Sequence, residues 1–186
     1  MRVLLIDNDS VLLQKLEALI PGKEIVRAWD DLSSVDANDF DLIVLSGGSR
    51  FGVMDGETRL KSEIELIKNS KKPIIGICFG CELIVHAFGG VLEKMKTTEK
   101  GIIKIKAIKN DPIFSGIKEF EVYEHHRWHI SKMPKDFIIL AESANSIEAI
   151  KHNTLPIYGL QFHPENFRDK TDGDKIFMNI FNLSTK

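Results

Sequence analysis

The segment with the strongest claim to chemistry is Gly76-Ile77-Cys78-Phe79-Gly80-Cys81-Glu82. A β-branched run, 73–77, leads into it, and a helical pattern over 82–88, closed by Gly89-Gly90, leads out. Gly76 and Gly80 leave room for the sharp strand-to-helix turn of a nucleophile elbow, which would thrust out the Cys78 side chain. A thiol at a helix start faces oriented N–H groups and the positive end of the helix dipole, an arrangement that favours the thiolate. A buried structural cysteine between two packing glycines is the other reading of the same residues. Cys78 and Cys81 also have the Cys-x-x-Cys spacing of a dithiol redox pair, although such a pair has no need of the flanking glycines. Zinc held by both cysteines with His126 and His129 would require a gap far longer than in compact zinc modules.

A sulfur nucleophile needs a base. After the strand-like run 157–161 comes Phe162-His163-Pro164-Glu165, where Pro164 fixes the backbone and His163 and Glu165, two apart, can point the same way. A carboxylate beside an imidazole fixes its tautomer and raises its basicity. Taken alone, these four residues read first as a surface turn. An oxyanion needs donors, and Ser46-Gly47-Gly48-Ser49 follows another apolar run, 41–45. Its paired glycines would let backbone N–H groups approach a ligand, with the Phe79 amide as second donor, although Gly-Gly is also common turn punctuation. The run Glu124-His125-His126-Arg127-Trp128-His129 reads as a substrate-facing loop or a solvated strand end. Asp7-Asn8-Asp9 suggests the acidic pocket of receiver domains, but such a pocket wants an aspartate where this chain has Ser46.

These groups need a frame that brings them to one rim. Residues 2–7, 24–29, 41–46 and 73–77 are short apolar runs, and helical patterns occupy 11–20, 56–70 and 82–88. Leu12, Leu13, Leu16, Leu19 and Ile20 form the first helical stripe, with Asp9-Ser10 as cap and Pro21-Gly22 as stop. Strand and helix in alternation predict an α/β fold: a mostly parallel open sheet, flavodoxin-like, flanked by helices on both faces. The second half adds short strands at 101–108, 120–123, 137–142, 147–151 and 157–161, and a closing helix at 174–183. An open sheet of this kind binds ligands beyond the carboxyl ends of its strands, here just after Asp7, Ser46, Ile77 and Gln161.

The 186 residues show no repeat or linker and predict one domain spanning 1–186. With 25 basic and 27 acidic side chains, nothing argues for nucleic acid or an anionic membrane as partner. No apolar run nears the ~18 residues of a membrane span. The amino terminus meets Asp7 too early for a secretory signal, and two cysteines three apart fit a reducing, cytoplasmic setting.

Together the motifs resemble class I (triad-type) glutamine amidotransferases over nearly the whole chain. The likeness is carried by Leu45-Ser46-Gly47-Gly48, by Pro73 to Gly80 running on to Ala87-Phe88-Gly89-Gly90, and by Tyr158-Gly159-Leu160-Gln161-Phe162-His163-Pro164-Glu165. It implies glutamine as substrate, Cys78 as nucleophile, His163 as base and acid, and Glu165 as its orienter. Gly48 and Phe79 would supply the oxyanion amides. Gly47, Glu82, His126, Arg127 and Trp128 would lie where family members hold the substrate.

The resemblance implies neither metal nor cofactor, and it implies ammonia transfer to a separate ATP-dependent synthetase subunit. Residues 134–165 are most similar to the stand-alone glutaminase subunit of GMP synthetases. Leu5 to Ser10 is similar instead to the glutaminases of anthranilate and aminodeoxychorismate synthases. Cys81-Glu82 stands where the family usually has His-Gln, Ser49 replaces a proline, and Trp128 replaces an Asp that GMP synthetase glutaminases tend to carry. A carboxylate at 82 could grip the substrate ammonium but would repel its α-carboxylate. These departures keep two other readings open: a weakly active regulatory protein on the same fold, and a Cys hydrolase of γ-glutamyl or peptide bonds.

Overall fold

The computed structural model describes residues 1–56 and 58–184. Its frame is one nine-stranded sheet in the order β2-β1-β3-β4-β9-β8-β7-β5-β6. Strands β1 (Arg2–Asp7), β2 (Lys23–Ala28), β3 (Leu42–Leu45), β4 (Ile74–Ile77) and β9 (Ile157–Leu160) run parallel. Strands β8 (Ile147–His152), β7 (Phe137–Glu142), β5 (Val91–Ala107) and β6 (Glu119–Lys132) continue the sheet in antiparallel pairs. The inner parallel strands β1, β3, β4 and β9 are apolar along their buried lengths because both their faces are covered. The edge strand β2 is partly exposed and carries Lys23, Glu24 and Arg27. Val3, Leu5, Leu42, Val44, Ile75 and Ile77 pack on one face with Leu16 of α1 (Leu13–Glu17) and Ile176, Phe177, Ile180 and Phe181 of α4 (Gly173–Ser184). Leu4, Ile6, Ile43, Leu45 and Ile74 pack on the other with Ile67 of α2 (Lys61–Asn69) and Leu83, Ile84 and Val85 of α3 (Phe79–Ala87).

The expected helices on both faces are present, and several boundaries differ. Helix α1 is confined to Leu13–Glu17, since Ser10 and Asp7 spend their side-chain oxygens on the turn before it: Asp7 Oδ1 accepts from Ser10 N–H and Ser10 Oγ from Leu12 N–H. Helix α2 begins at Lys61 rather than 56, and Glu57, inside the expected span, lies outside the described residues, as do Thr185 and Lys186. The largest correction concerns β5 and β6, expected at 101–108 and 120–123, which form a ribbon of 17 and 14 residues. Pairing with each other, rather than apolar content, sustains these polar strands. The Glu124–His129 run is accordingly neither loop nor strand end: it is the middle of β6.

Candidate active site

The turn between β4 and α3 is built by backbone crowding. A Cβ on Gly80 would meet the Leu45 carbonyl at 2.6 Å, and one on Gly76 would meet the Gly80 carbonyl at 2.6 Å. Strand and helix therefore touch main chain to main chain, which forces Cys78 to φ +48°, a region costly for any residue with a side chain. The strain is held from both sides, since Cys78 N–H donates to Leu160 C=O at 2.7 Å and Cys78 C=O accepts from Glu82 N–H at 2.9 Å.

Beyond β9, His163 Nδ1 lies 2.8 Å from Glu165 Oε1. A carboxylate oxygen accepts, so Nδ1–H donates and Nε2 is the nitrogen left to exchange a proton. The His163 backbone is fixed by its own N–H bond to Tyr123 C=O at 2.9 Å. Gly47 lies against both candidate groups: a Cβ there would come within 2.9 Å of His163 Cε1 and 3.7 Å of Cys78 Cβ. Gly48 is wedged between Asn8 and Phe79, where a Cβ would run into Asn8 C=O. The loop is buttressed from below, where Asn8 N–H donates to Ser46 Oγ at 2.9 Å and Asn8 Nδ2 donates to Glu63 Oε1 at 3.2 Å. Glu63 sits on the buried face of α2, and its burial pushes the carboxyl up to about 8.

Cys78, Phe79, Gly48, Glu82, His126 and His163 all line one cavity of ≈ 680 Å³, joined at its mouth by Arg50, Lys94, Arg127 and Trp128. Gly47 packs beneath the lining. Burial and the carboxylates of Glu82, Glu124 and Glu165 push the Cys78 thiol well up, overcoming the N–H of Phe79. The expected resting thiolate is thus corrected: desolvation outweighs the helix dipole. Burial likewise lifts Glu82 to about 8, against the bond that Gln161 Nε2 donates to its Oε1 at 3.2 Å. Near neutral pH it is a carboxylic acid with one carbonyl and one hydroxyl, close in shape to an amide, so the repulsion expected of a carboxylate does not arise.

Cys81 does not share the cavity. It packs in the hydrophobic cluster on the opposite face of the sheet from Cys78, against Gly159 and Ile150, and both cysteines are free thiols. Neither a dithiol pair nor a zinc site on the two cysteines finds support there. Sequence reasoning passed over Arg50, Lys94, Gln161 and the Asn8–Glu63 pair. A signal for Glu63 was available, since it falls three residues after Leu60 and four before Ile67, on the inward side of α2.

A nucleophile-elbow cysteine and a carboxylate-paired histidine at the carboxyl ends of parallel strands define the class. The glutamine amidotransferase class-I family model matches residues 4–183, and the chain belongs to that family. The A-subunit of the glutamine-hydrolyzing GMP synthase from Methanocaldococcus jannaschii is 32% identical over 170 residues, covering 88% of this chain and 87% of the relative. A glutamine-hydrolyzing GMP synthase from Thermosipho africanus is 39% identical over 146 residues, and there the match spans 77% of this chain and only 28% of the relative. Among solved structures, a putative GMP synthase A-subunit from Thermoplasma acidophilum superposes with a TM-score of 0.86 at 29% identity, covering 99% of this chain and 94% of that one. A glutamine amidotransferase from Thermotoga maritima gives 0.84 at 16% identity, covering 100% and 98%, which extends the likeness of fold alone. The fold is that of class I glutamine amidotransferases, with a large sheet, parallel in one half and antiparallel in the other.

Proposed function

We propose that this chain hydrolyses the side-chain amide of glutamine and passes the ammonia to a separate ATP-dependent synthetase subunit of the GMP synthase type. The observation that carries the reading is the meeting, in one cavity, of a strained elbow cysteine and a histidine whose Nδ1 is tied to a buried carboxylate. With its thiol held protonated at rest, Cys78 attacks the amide carbon as His163 Nε2 removes the S–H proton. The tetrahedral oxyanion rests on the amides of Gly48 and Phe79, a donor pair of which each member is worth about 3 kcal/mol. Imidazolium Nε2–H then protonates the departing nitrogen, and ammonia leaves behind a glutamyl thioester. Water attacks the thioester carbonyl, yielding its proton to Nε2, and Cys78 recovers a proton as glutamate leaves. Arg50, Lys94 and Arg127 supply the cavity mouth with cations for the substrate's α-carboxylate.

The candidate partner follows the named relatives, which favour the GMP synthase reading over the anthranilate and aminodeoxychorismate ones. The chain is read as one cytoplasmic domain; among the described residues no helix is long and apolar enough to cross a membrane. Release of ammonia and glutamate from glutamine, measured alone and with a GMP-forming synthetase subunit, tests the assignment. Cys78→Ser should lower turnover by at least ~10³-fold with unchanged circular dichroism. Retained turnover removes Cys78 from the mechanism, and failure to support glutamine-dependent GMP formation removes the partner.

A further inference from the structure

Beneath the cavity floor, three carboxylates and an imidazole converge away from water. Glu124 and His126, two apart on β6, project from the same side of the strand and are 0% and 4% exposed. Glu99 pairs with His126 across the ribbon, just past the irregularity between Lys94 and Glu99, where β5 advances further than β6 does. Glu148 comes from β8 and is fully buried. Glu99, His126 and Glu148 each offer one ligand atom within 4.8 Å of the others. Glu124 Oε2 and Glu99 Oε2 lie 3.3 and 3.7 Å from His126 Nε2, and Glu124 is within hydrogen-bonding reach of Glu148.

The donors at this point do not match the acceptors. His126 Nδ1 is 2.8 Å from Trp128 C=O, and a carbonyl can only accept, so Nδ1 carries a proton and Nε2 is the nitrogen that faces the carboxylates, with a hydrogen bond to none of them. Asn145 Nδ2 serves Glu99 Oε1 and Ser146 Oγ serves Glu148 Oε1, each from outside the cluster. Glu99 Oε2, both Glu124 oxygens, Glu148 Oε2 and His126 Nε2 are all buried with no hydrogen-bond partner. Buried acceptors without donors are costly, and like charges packed together add to the cost. One proton shared between Glu124 and Glu148 would still leave Glu99 Oε2 and His126 Nε2 facing each other at 3.7 Å with no hydrogen bond.

We propose that Glu99, Glu124, His126 and Glu148 form a binding site for a first-row divalent metal ion. An ion with ligands at about 2.0–2.2 Å holds neighbouring ligand atoms roughly 3–4 Å apart, so the 3.3 and 3.7 Å separations already fit and the widest pair closes by a small movement. A neutral imidazole whose other nitrogen is anchored on a carbonyl is the usual form of a histidine ligand. Imidazole with carboxylates favours Mn²⁺ to Zn²⁺ over Mg²⁺ or Ca²⁺, and the absence of thiolate from the set disfavours softer ions. Glu99 also lines a shallow pocket with Thr98, His129 and Asn145, which gives the ion a way in. The ion touches no reacting atom. It would tie β5, β6 and β8 together under the strand that presents His125, Arg127 and Trp128 to the cavity, and it stands independently of the glutaminase reading.

The test is a titration of the full chain, stripped with chelator, against Mn²⁺, Zn²⁺ and Mg²⁺ by calorimetry, with thermal melts alongside. Working in a Cys78→Ser background keeps the cavity thiol out of the measurement. The expected result is one equivalent of Mn²⁺ or Zn²⁺ per chain, a melting temperature raised by several degrees and no comparable effect of Mg²⁺. His126→Asn and Glu148→Gln should each weaken binding by at least ~10-fold. Glu148→Gln removes a crowded charge, so the metal-free variant should melt no lower than its parent and show that lost binding is not lost folding. No saturable binding of either ion, or binding undiminished in folded His126→Asn and Glu148→Gln proteins, overturns the site.

Discussion

Glu82 illustrates how environment rewrites a residue's chemistry. In water a glutamate at this place would be an anion beside the nucleophile, whereas burial holds it protonated to about pH 8, with Gln161 as its neighbour. The neutral acid can accept and donate as an amide does, so substrate affinity should be ordinary near pH 7 and worsen as the group ionises. Glu82→Gln should therefore match the parent KM within about twofold at pH 7, and the ratio of parent to variant KM should climb above pH 8. A ratio that stays flat from pH 7 to 9 would show that Glu82 does not titrate against substrate. The elbow at Cys78 was readable as a local pattern, whereas His163 and Glu165, which alone read as a surface turn, became candidates only beside that elbow and through the family resemblance. The protonation of Glu82 and the raised thiol of Cys78 were not readable, because desolvation depends on what distant chain segments place around a group.

Among the elements, the join between β4 and α3 carries the tightest constraint. Alanine at Gly80 would gain helix propensity of up to about 1 kcal/mol. Its methyl carbon would stand 2.6 Å from the Leu45 carbonyl, a contact that only displacement of helix or strand can relieve. The clash wins: Gly80→Ala should destabilise the protein by roughly 1–3 kcal/mol in denaturant melts and lower glutaminase activity more than stability, because any shift moves Cys78. Unchanged activity in that variant would mean that the elbow tolerates repositioning. The inner parallel strands β1, β3, β4 and β9 were legible from their continuous apolar runs. Strands β5 and β6 were underestimated because their polar stretches are stabilised by pairing partners many residues away. Even so, Phe120, Val122, Glu124 and His126 keep one parity, and an acid and a histidine continuing an apolar face were the sign that something other than water awaited them.

For the molecule as a whole, buried acids set the response to pH. Glu63 and Glu82 keep their protons to about pH 8, while in the unfolded chain they lose them near 4.5. Between those values the folded state binds more protons than the unfolded one, so stability is fullest below 4.5, falls as pH rises and levels off above about 8. At pH 7 each group costs roughly 3 kcal/mol relative to acid conditions. Melting temperatures should decline from pH 5 to 8.5, and Glu63→Gln, which preserves the acceptor for Asn8, should flatten part of that decline; parallel curves for parent and variant would contradict it.

Strand β6 closes one end of the sheet, and the chain itself engages its outer edge: Glu121 C=O accepts from Asp172 N–H at 2.8 Å and Tyr123 C=O from His163 N–H at 2.9 Å. Since neighbouring side chains alternate between interior and solvent, sliding β6 by a single position would send Glu124 and His126 outward and draw His125 and Arg127 in. Its pairing with β5 on one side and these two bonds on the other pin the cavity wall against lengthwise slippage, so the segment that carries the candidate base also sets the alignment of the strand facing it.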